Sequence, residues 1–472
     1  MNRLLSLPAL LVYLTLVAHA SGAETKTVRD FGAVGDGKAD DTEAVQRAAG
    51  EGAVVFPKGT YQLTGTVSID LATSGFTALS ADGTARVVMA GAGPAFRISG
   101  THAGTADPKS VSAEVWERQR MPVIDGLEIV GAHREADGIE ANGTMQLTIR
   151  GIAIRGVRHA IHLTGRNRNV LIADCHLYDN HGCGVFLDRV NLHQINVTGS
   201  HISYNAGGGV VSRGGEVRNL HIGTCDIESN MAPDAPPTAN VLIDSREGST
   251  AEVSITGCTI QHNSKSADSA NIRFIGRGIT SAKDPTPTRE GHLVITGNVF
   301  SDVMVNIHLQ HARGVTITGN TFWEGFEHDL LIEESESVVV GPNDFDRNPR
   351  YVVNGNWAKD HNGIVLRRCT DVKLHGLLVK GVWAKPAAVL IEECTRATVQ
   401  DCSILDSDGI GLWLKNSRRC RISGCTIRDD RAEKKATLSL KQESGGDNWI
   451  AENWLPNGVE GLDESALGAN RR

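Results

Sequence analysis

Four side chains in a short stretch could carry acid–base chemistry. They are Asp137 and Glu140 in Glu135-Ala136-Asp137-Gly138-Ile139-Glu140, and His159 and His162 in Arg158-His159-Ala160-Ile161-His162. Within each pair the spacing is three residues, and the pairs lie 22 residues apart. A carboxylate and an imidazole within reach of one substrate can protonate a leaving oxygen, activate a water, or abstract a proton beside a carboxylate. Nearby residues suit the holding of a sugar. His181, Asp188 and Arg213 offer polar and charged contacts, and the rings of Trp116, Tyr351 and Trp357 could stack on a pyranose. The same residues would also make an ordinary solvated polar face, and that reading stands beside the functional one.

The element that must position them is a repeat. From about residue 120 a register position, small or polar in most coils, recurs at Leu127, Ile152, Cys175, Ser200, Cys225, Cys258, Asn298, Asn320, Asn343, Leu377, Cys402 and Cys425. The spacing is 22 to 25 residues, widened to 33, 40 and 34 at three places. Three residues before each of these stands Ile, Val or Leu, and two residues after stands Ile, Leu, Val or Phe, without exception. Within each half, apolar and polar residues alternate, the period of a strand with one buried face. Between the halves the parity slips, so the strand must bend there. Asn180, Asn205, Asn230, Asn263 and Asn348, five residues after their register residues, suit tight left-handed turns. A second strand follows, as in Gly184-Val185-Phe186-Leu187 and Asn306-Ile307-His308-Leu309.

A unit this short cannot bury its apolar positions alone, but stacked units can. Leucine-rich repeats share the period, yet their Leu-x-x-Leu-x-Leu pattern is missing. The sequence therefore predicts an all-β fold: a right-handed parallel β-helix of about 12 or 13 coils, a rod of roughly 60 Å at about 4.8 Å per coil. Alternation then gives two outward columns on the second strand. One holds Glu140, His162, Phe186, Val211, Leu242, Arg273 and His308. The other holds Asn142, Thr164, Asp188, Arg213, Asp244, Gln310, Glu333, Arg367, Glu392 and Lys415. His176, His201 and Asp226 share an outward position on the first strand.

Composition sets bounds. Of 472 residues, 47 are Lys or Arg and 55 are Asp or Glu, a net charge of −8 that argues against general nucleic-acid binding. The 52 glycines with only 14 prolines point to many tight turns. Nine cysteines are too few and odd in number for a disulfide scaffold. Those in the coils read as buried thiols, with Cys369 and Cys394 close enough in column for a bridge, and no Cys-x-x-Cys pair suggests a metal. Residues 1–20 carry Arg3, an apolar run from Leu4 to Val17 and then Ala18-His19-Ala20, the pattern of a cleaved signal peptide. The run is too short to span a bilayer, so the expectation is a secreted protein, extracellular or periplasmic, with no membrane span.

Before the repeat lies Asp30-Phe31-Gly32-Ala33-Val34-Gly35-Asp36-Gly37-Lys38-Ala39-Asp40-Asp41-Thr42-Glu43-Ala44-Val45-Gln46. Its glycines suit turns, Asp40 with Glu43 resembles a capping box, and Thr42 to Ala49 reads as a short amphipathic helix that covers the open end of the stack. Residues 28 to 63 resemble the start of the pectate lyase superfamily, which includes polygalacturonases and rhamnogalacturonases. That resemblance, with the coils, spans nearly the whole mature chain and implies extracellular action on polysaccharide, often acidic. Of the polygalacturonase catalytic pattern N-T-D-G, only Asp137 and Gly138 match, and the paired Asp, the G-H-G and the R-x-K are absent.

The chain thus divides into a leader (1–20), a cap with the first coils (24–100), a loop (101–121), the main coils (122–460) and a tail (461–472). Longer coils mark further loops at residues 231–239, 276–291 and 347–362. The expected function is cleavage of glycosidic bonds in an acidic polysaccharide, by hydrolysis or β-elimination. The alternatives are a non-catalytic carbohydrate- or surface-binding β-helix and a uronate epimerase. Calcium enters only if the protein is a lyase. The proposed catalytic residues are Asp137, Glu140, His159 and His162, with His181, Asp188, Arg213, Trp116, Tyr351 and Trp357 on the substrate.

Overall fold

A computed structural model describes residues 26–472 apart from 235–237, 264–265, 279–289, 353–354 and 356–357. The expected leader at 1–20 lies outside the described residues, as do most of the 276–291 loop and Trp357. The chain winds as a parallel β-helix in which each strand pairs with the strand one coil before and one coil after. The two apolar columns read from the sequence are ladders. One runs Ile124, Ile149, Ile172, Val197, Ile222, Ile255 in register. The other runs Ile129, Ile154, Leu177, Ile202, Ile227, Ile260, Phe300, Phe322 and Phe345. All are buried, and the last three rings stack at 4.9 and 4.5 Å between centroids.

The parity slip has a definite cause. The residue before nearly every register residue is left-handed. Gly126, Gly151, Asp174, Gly199, Thr224, Gly257, Gly297, Gly319, Gly376, Asp401 and Gly424 have φ between +52° and +70°. Eight of these eleven are glycine, which adopts that region at little cost. One left-handed residue turns the corner between the two strands and flips the parity of everything after it.

Asn263 is left-handed as expected, with φ +105°, but Asn180, Asn205 and Asn230 behave differently. The left-handed residues in their turns are the preceding Asp179, Tyr204 and Ser229. Asn180, Asn205 and Asn230 instead point inward and stack. Each Nδ2 donates to the next Oδ1, at 2.7 Å from Asn180 to Asn205 and 2.7 Å from Asn205 to Asn230. The ladder passes at 2.9 Å to Asn240, then through Asn271 and Asn306, and ends on the Asp329 carboxyl at 2.8 Å. A buried amide must have its donors and acceptors met, and here each coil meets those of its neighbour.

Strand pairing begins before the repeat becomes visible: Asp36–Asp40 pairs with Gly59–Leu63, and Ala53–Val55 with Ala78–Ser80, which in turn pair with Val123–Asp125. The helix Thr42–Gly50 buries Ala44, Val45, Ala48 and Ala49, as its sequence requires. The acidic motif before it closes turns rather than forming the expected capping box. Asp40 accepts the Thr42 amide and hydroxyl, and the buried Asp41 accepts the amides of Val34 and Gly35 at 2.6 and 3.1 Å. All nine cysteines are free and buried, Cys369 and Cys394 included. No described helix is long and apolar enough to cross a membrane.

The register makes a direct prediction. Ile222 is fully buried. Ile222→Asp removes roughly 1.5–3 kcal/mol of apolar burial and places an unpaired charge inside, a loss comparable to the total stability of a domain, about 5–15 kcal/mol. The variant is expected to yield no soluble β-rich protein by circular dichroism. A soluble, cooperatively melting variant would contradict the inward assignment.

Candidate active site

The outward columns of the second strand are also in register. Arg97 pairs with Glu140, Glu140 with His162, and His162 with Phe186. Two residues along, Thr164, Asp188, Arg213 and Asp244 form the parallel row. This packing brings Glu140, His162 and Asp188 together. His162 lies between two carboxylates, its Nε2 3.2 Å from Asp188 and its Nδ1 3.9 Å from Glu140. Its ring stacks on Phe186 at 5.3 Å and 13°. Arg97 Nε donates to Glu140 at 2.7 Å, and Arg189 stands 3.6 Å from Asp188. Both carboxylates remain partly open, with side-chain exposures of 21% for Glu140 and 27% for Asp188.

Asp137 and His159 are placed otherwise. Asp137 is 1% exposed. Its carboxylate accepts two bonds from the Arg158 guanidinium, at 2.9 and 2.6 Å, and one from the His159 amide. A carboxylate so enclosed is a structural anchor and is not presented to a substrate. His159 packs on Phe186 at 4.9 Å, and its Nδ1 accepts the Cys183 amide at 3.1 Å. Burial pushes its pKa down to about 4 against the opposing pull of Asp137, which keeps the ring neutral. His159 therefore braces the platform under His162.

Of the expected substrate-binding residues, Asp188 and Arg213 lie at the row. Arg213 is exposed and makes no ion pair among the described residues. It lines a depression of about 440 Å³ with Arg189, Asp244, Arg246 and Glu247. His181 is exposed, in the bend before the strand Cys183–Thr198. Trp116 is 42% exposed with Arg120 over its ring at 5.4 Å. Its loop is fastened away from the row, where Arg168 donates to the carbonyls of Thr105 and Ala106 at 2.7 Å each. Tyr351 falls in a short helical turn, Pro349–Val352. Trp116 makes no described contact with the row.

Arg97 and the bracing role of Phe186 went unseen in the sequence. Arg97 precedes the visible repeat, but it stands between the buried Phe96 and Ile98, and that alternation would have put it in the Glu140 column. Further along, His308 hydrogen-bonds Glu333 at 3.1 Å, and a chain of ion pairs continues from Glu333 through Arg367, Glu392 and Lys415 at 3.1, 2.9 and 2.9 Å.

Three family models match parts of the chain. Residues 26–119 match "Rhamnogalacturonase A/epimerase, pectate lyase-like". Residues 111–260 match "Right handed beta helix region", and residues 251–466 match "Periplasmic copper-binding protein (NosD)". Among solved structures, the pre-mature bacteriophage phi29 gene product 12 is similar at 12% identity and a TM-score of 0.52, over 91% of this chain and 57% of that one. The catalytic unit of the GH87 α-1,3-glucanase of Streptomyces thermodiastaticus is 12% identical with a TM-score of 0.42, over 91% and 70%. The mannuronan C-5 epimerase AlgE4 A-module of Azotobacter vinelandii is 13% identical with a TM-score of 0.37, over 93% and 98%. No curated protein matches. The chain is a right-handed parallel β-helix of the pectate lyase-like superfamily.

The copper named for one of these families finds no ligand set here. Among the described residues no three His, Cys, Asp or Glu side chains converge to hold a metal. The thiols of the matched span lie inside the coil stack, most of them directed at backbone carbonyls.

Proposed function

We propose that the protein hydrolyses glycosidic bonds of an acidic polysaccharide at the Glu140–His162–Asp188 row. The observation that carries this reading is the imidazole held between two partly exposed carboxylates, with arginines on both sides. Hydrolysis with an acid and a base needs two carboxyl groups, and Glu140 and Asp188 supply them. One gives a proton to the glycosidic oxygen, and the other draws a proton from water. His162 hydrogen-bonds Asp188 and stands 3.9 Å from Glu140, and so sits between them. Its Nδ1 is closed off from solvent, so the carboxyls face the substrate and the ring lies behind them. Arg213, one coil beyond Asp188, is placed to receive the charge of an acidic sugar. The rhamnogalacturonase-like family match and the Asp30–Gln46 motif point to the same class of substrate. Export rests on the leader, and N-terminal sequencing of secreted protein is expected to begin at Ser21.

The test is a digest of pectins, alginates and neutral glycans by purified mature protein. New reducing ends without ultraviolet absorbance are expected, on acidic substrates. Absorbance from unsaturated uronates would replace hydrolysis with β-elimination. Neither signal, on a panel that control enzymes digest, would sink the enzymatic reading and leave a binding protein.

A further inference from the structure

Six coils beyond His159, at the same point in the coil, a second polar cluster converges on a glycine. At about 4.8 Å per coil this is roughly 30 Å along the rod. Glu327 and His328 open the strand Gly325–Glu333, His361 precedes the strand Gly363–Arg367, and Lys385 precedes the strand Ala387–Glu392. His328 and Gly363 are register partners. Lys385 Nζ lies 2.5 Å from Glu327, and His361 Nδ1 lies 3.5 Å from the same carboxylate oxygen.

Three features make this more than a surface ion pair. First, the ammonium is the covered partner, 17% exposed against 41% for Glu327. The flexible carboxylate lies outside and can yield its place on Lys385 to another oxyanion. Second, the Nδ1 atoms of His328 and His361 are both buried without a hydrogen bond of normal geometry, and their contacts to the Gly363 backbone and the Glu327 carboxylate are weak ones that a ligand oxygen can improve on. Burial, followed by the charge of Lys385, pushes the His328 pKa down to about 4, so the ring can meet an oxyanion only as a neutral hydrogen-bonding group. Third, Gly363 lets the polar groups close in around it. A Cβ there would stand 3.0 Å from His328 Nδ1, 3.2 Å from the Glu327 carbonyl and 3.5 Å from Lys385 Cε. Its φ is not in the left-handed region, so the glycine is needed for room and not for backbone conformation.

We propose that Lys385, His328, His361 and Glu327, drawn together over Gly363, form a second site that takes an oxyanion carried on a sugar, a carboxylate or a sulfate ester, which enters where the exposed Glu327 carboxylate now lies. Lys385 receives the charge, His328 makes a hydrogen bond, and Glu327 swings out. The identification of a sugar as carrier rests on the polysaccharide reading above, whereas the anion site itself does not.

The experiment uses the full mature protein labelled with ¹⁵N-histidine. The probes are tetragalacturonate, a sulfated galactose tetramer and the unsulfated tetramer. Addition of an anionic tetramer is expected to shift the His328 ring signals, and the unsulfated tetramer is not. Whichever anionic probe binds more tightly names the oxyanion. Lys385→Met is expected to weaken that binding at least tenfold while melting like wild type, and Gly363→Ala to weaken it likewise by pushing His328 aside, with some loss of melting temperature. Asp188→Asn is expected to leave the His328 shift intact. Unshifted His328 signals, or two folded variants that bind the anionic tetramers as wild type does, would overturn the site. A protein that cleaves nothing but shows these effects would uphold the site and refute the hydrolase reading.

Discussion

Asp188→Asn is expected to lower polysaccharide hydrolysis by about 10²–10⁴-fold, the usual worth of a positioned acid or base, with little change in melting temperature. Asp188 sits on an outward row and makes no buried contact whose loss would unfold a coil. Its amide replacement can still accept from His162 Nε2 at the present 3.2 Å, so the row should keep its shape while losing the proton-transfer group. Glu140→Gln should behave alike, because Arg97 can still donate to the amide oxygen. His162→Asn is a different experiment. It removes the ring that spans both carboxyls and rests on Phe186, so kcat should fall by less while the two carboxyls lose their fixed spacing. Arg213→Ala should raise KM on acidic substrates with kcat nearly kept, since Arg213, although the strand neighbour of Asp188, makes no ion pair with Asp188 or Glu140 among the described residues. His159, held neutral by burial down to about pH 4, should contribute no titration to the activity profile between about pH 5 and 8. Initial rates of reducing-end release across pH separate these outcomes. Full activity in both Asp188→Asn and Glu140→Gln would remove the row from the chemistry.

Much of this was legible in the sequence because a coil repeats its burial pattern. A column of Ile and Val at −3 and another at +2 can only be two inward strands, and the observed ladders pair those residues. The same alternation separates the site residues. Asp137 has the parity of the buried Ile139, and His159 that of the buried Ile161. Glu140 and His162 have the opposite parity and face outward. Proximity in the chain had grouped all four together. What alternation cannot supply is the partner. Whether a carboxylate is spent on a guanidinium depends on side chains one coil away, as with Arg158 on Asp137 and Arg97 on Glu140. The asparagines show the same limit. Five residues past the register, Asn is equally suited to a turn or to an inward ladder, and only the neighbouring coil's Asn decides. The cluster around Gly363 was hidden for the same reason, because its four groups come from three coils separated by a loop.

Asp329→Asn is expected to stabilise the protein at pH 8 and to do little at pH 4. Asp329 ends the amide ladder, 1% exposed, accepting from Asn306. Burial raises its pKa from 3.8 to about 7, with the charge of Asp360 adding to the rise and the Asn306 bond and Arg347 opposing it. The folded state therefore prefers the protonated acid. Its contribution is fully present below about pH 4, where the unfolded chain is also protonated. It is lost progressively as pH rises to about 7, because the unfolded chain ionises first and the folded one resists. At about 1.4 kcal/mol for each tenfold difference in proton affinity, the loss by pH 8 is on the order of 4 kcal/mol. An asparagine continues the ladder without a charge to bury, so it should escape that loss. Asp360, whose pKa burial raises to about 6, leaves a smaller slope of the same sign in the variant. Urea midpoints of the two proteins at pH 4 and pH 8 decide the matter. Equal midpoints at both would mean that Asp329 ionises in place, its charge met by Arg347. A variant weaker at both would mean that the acid proton makes a bond that the amide cannot replace.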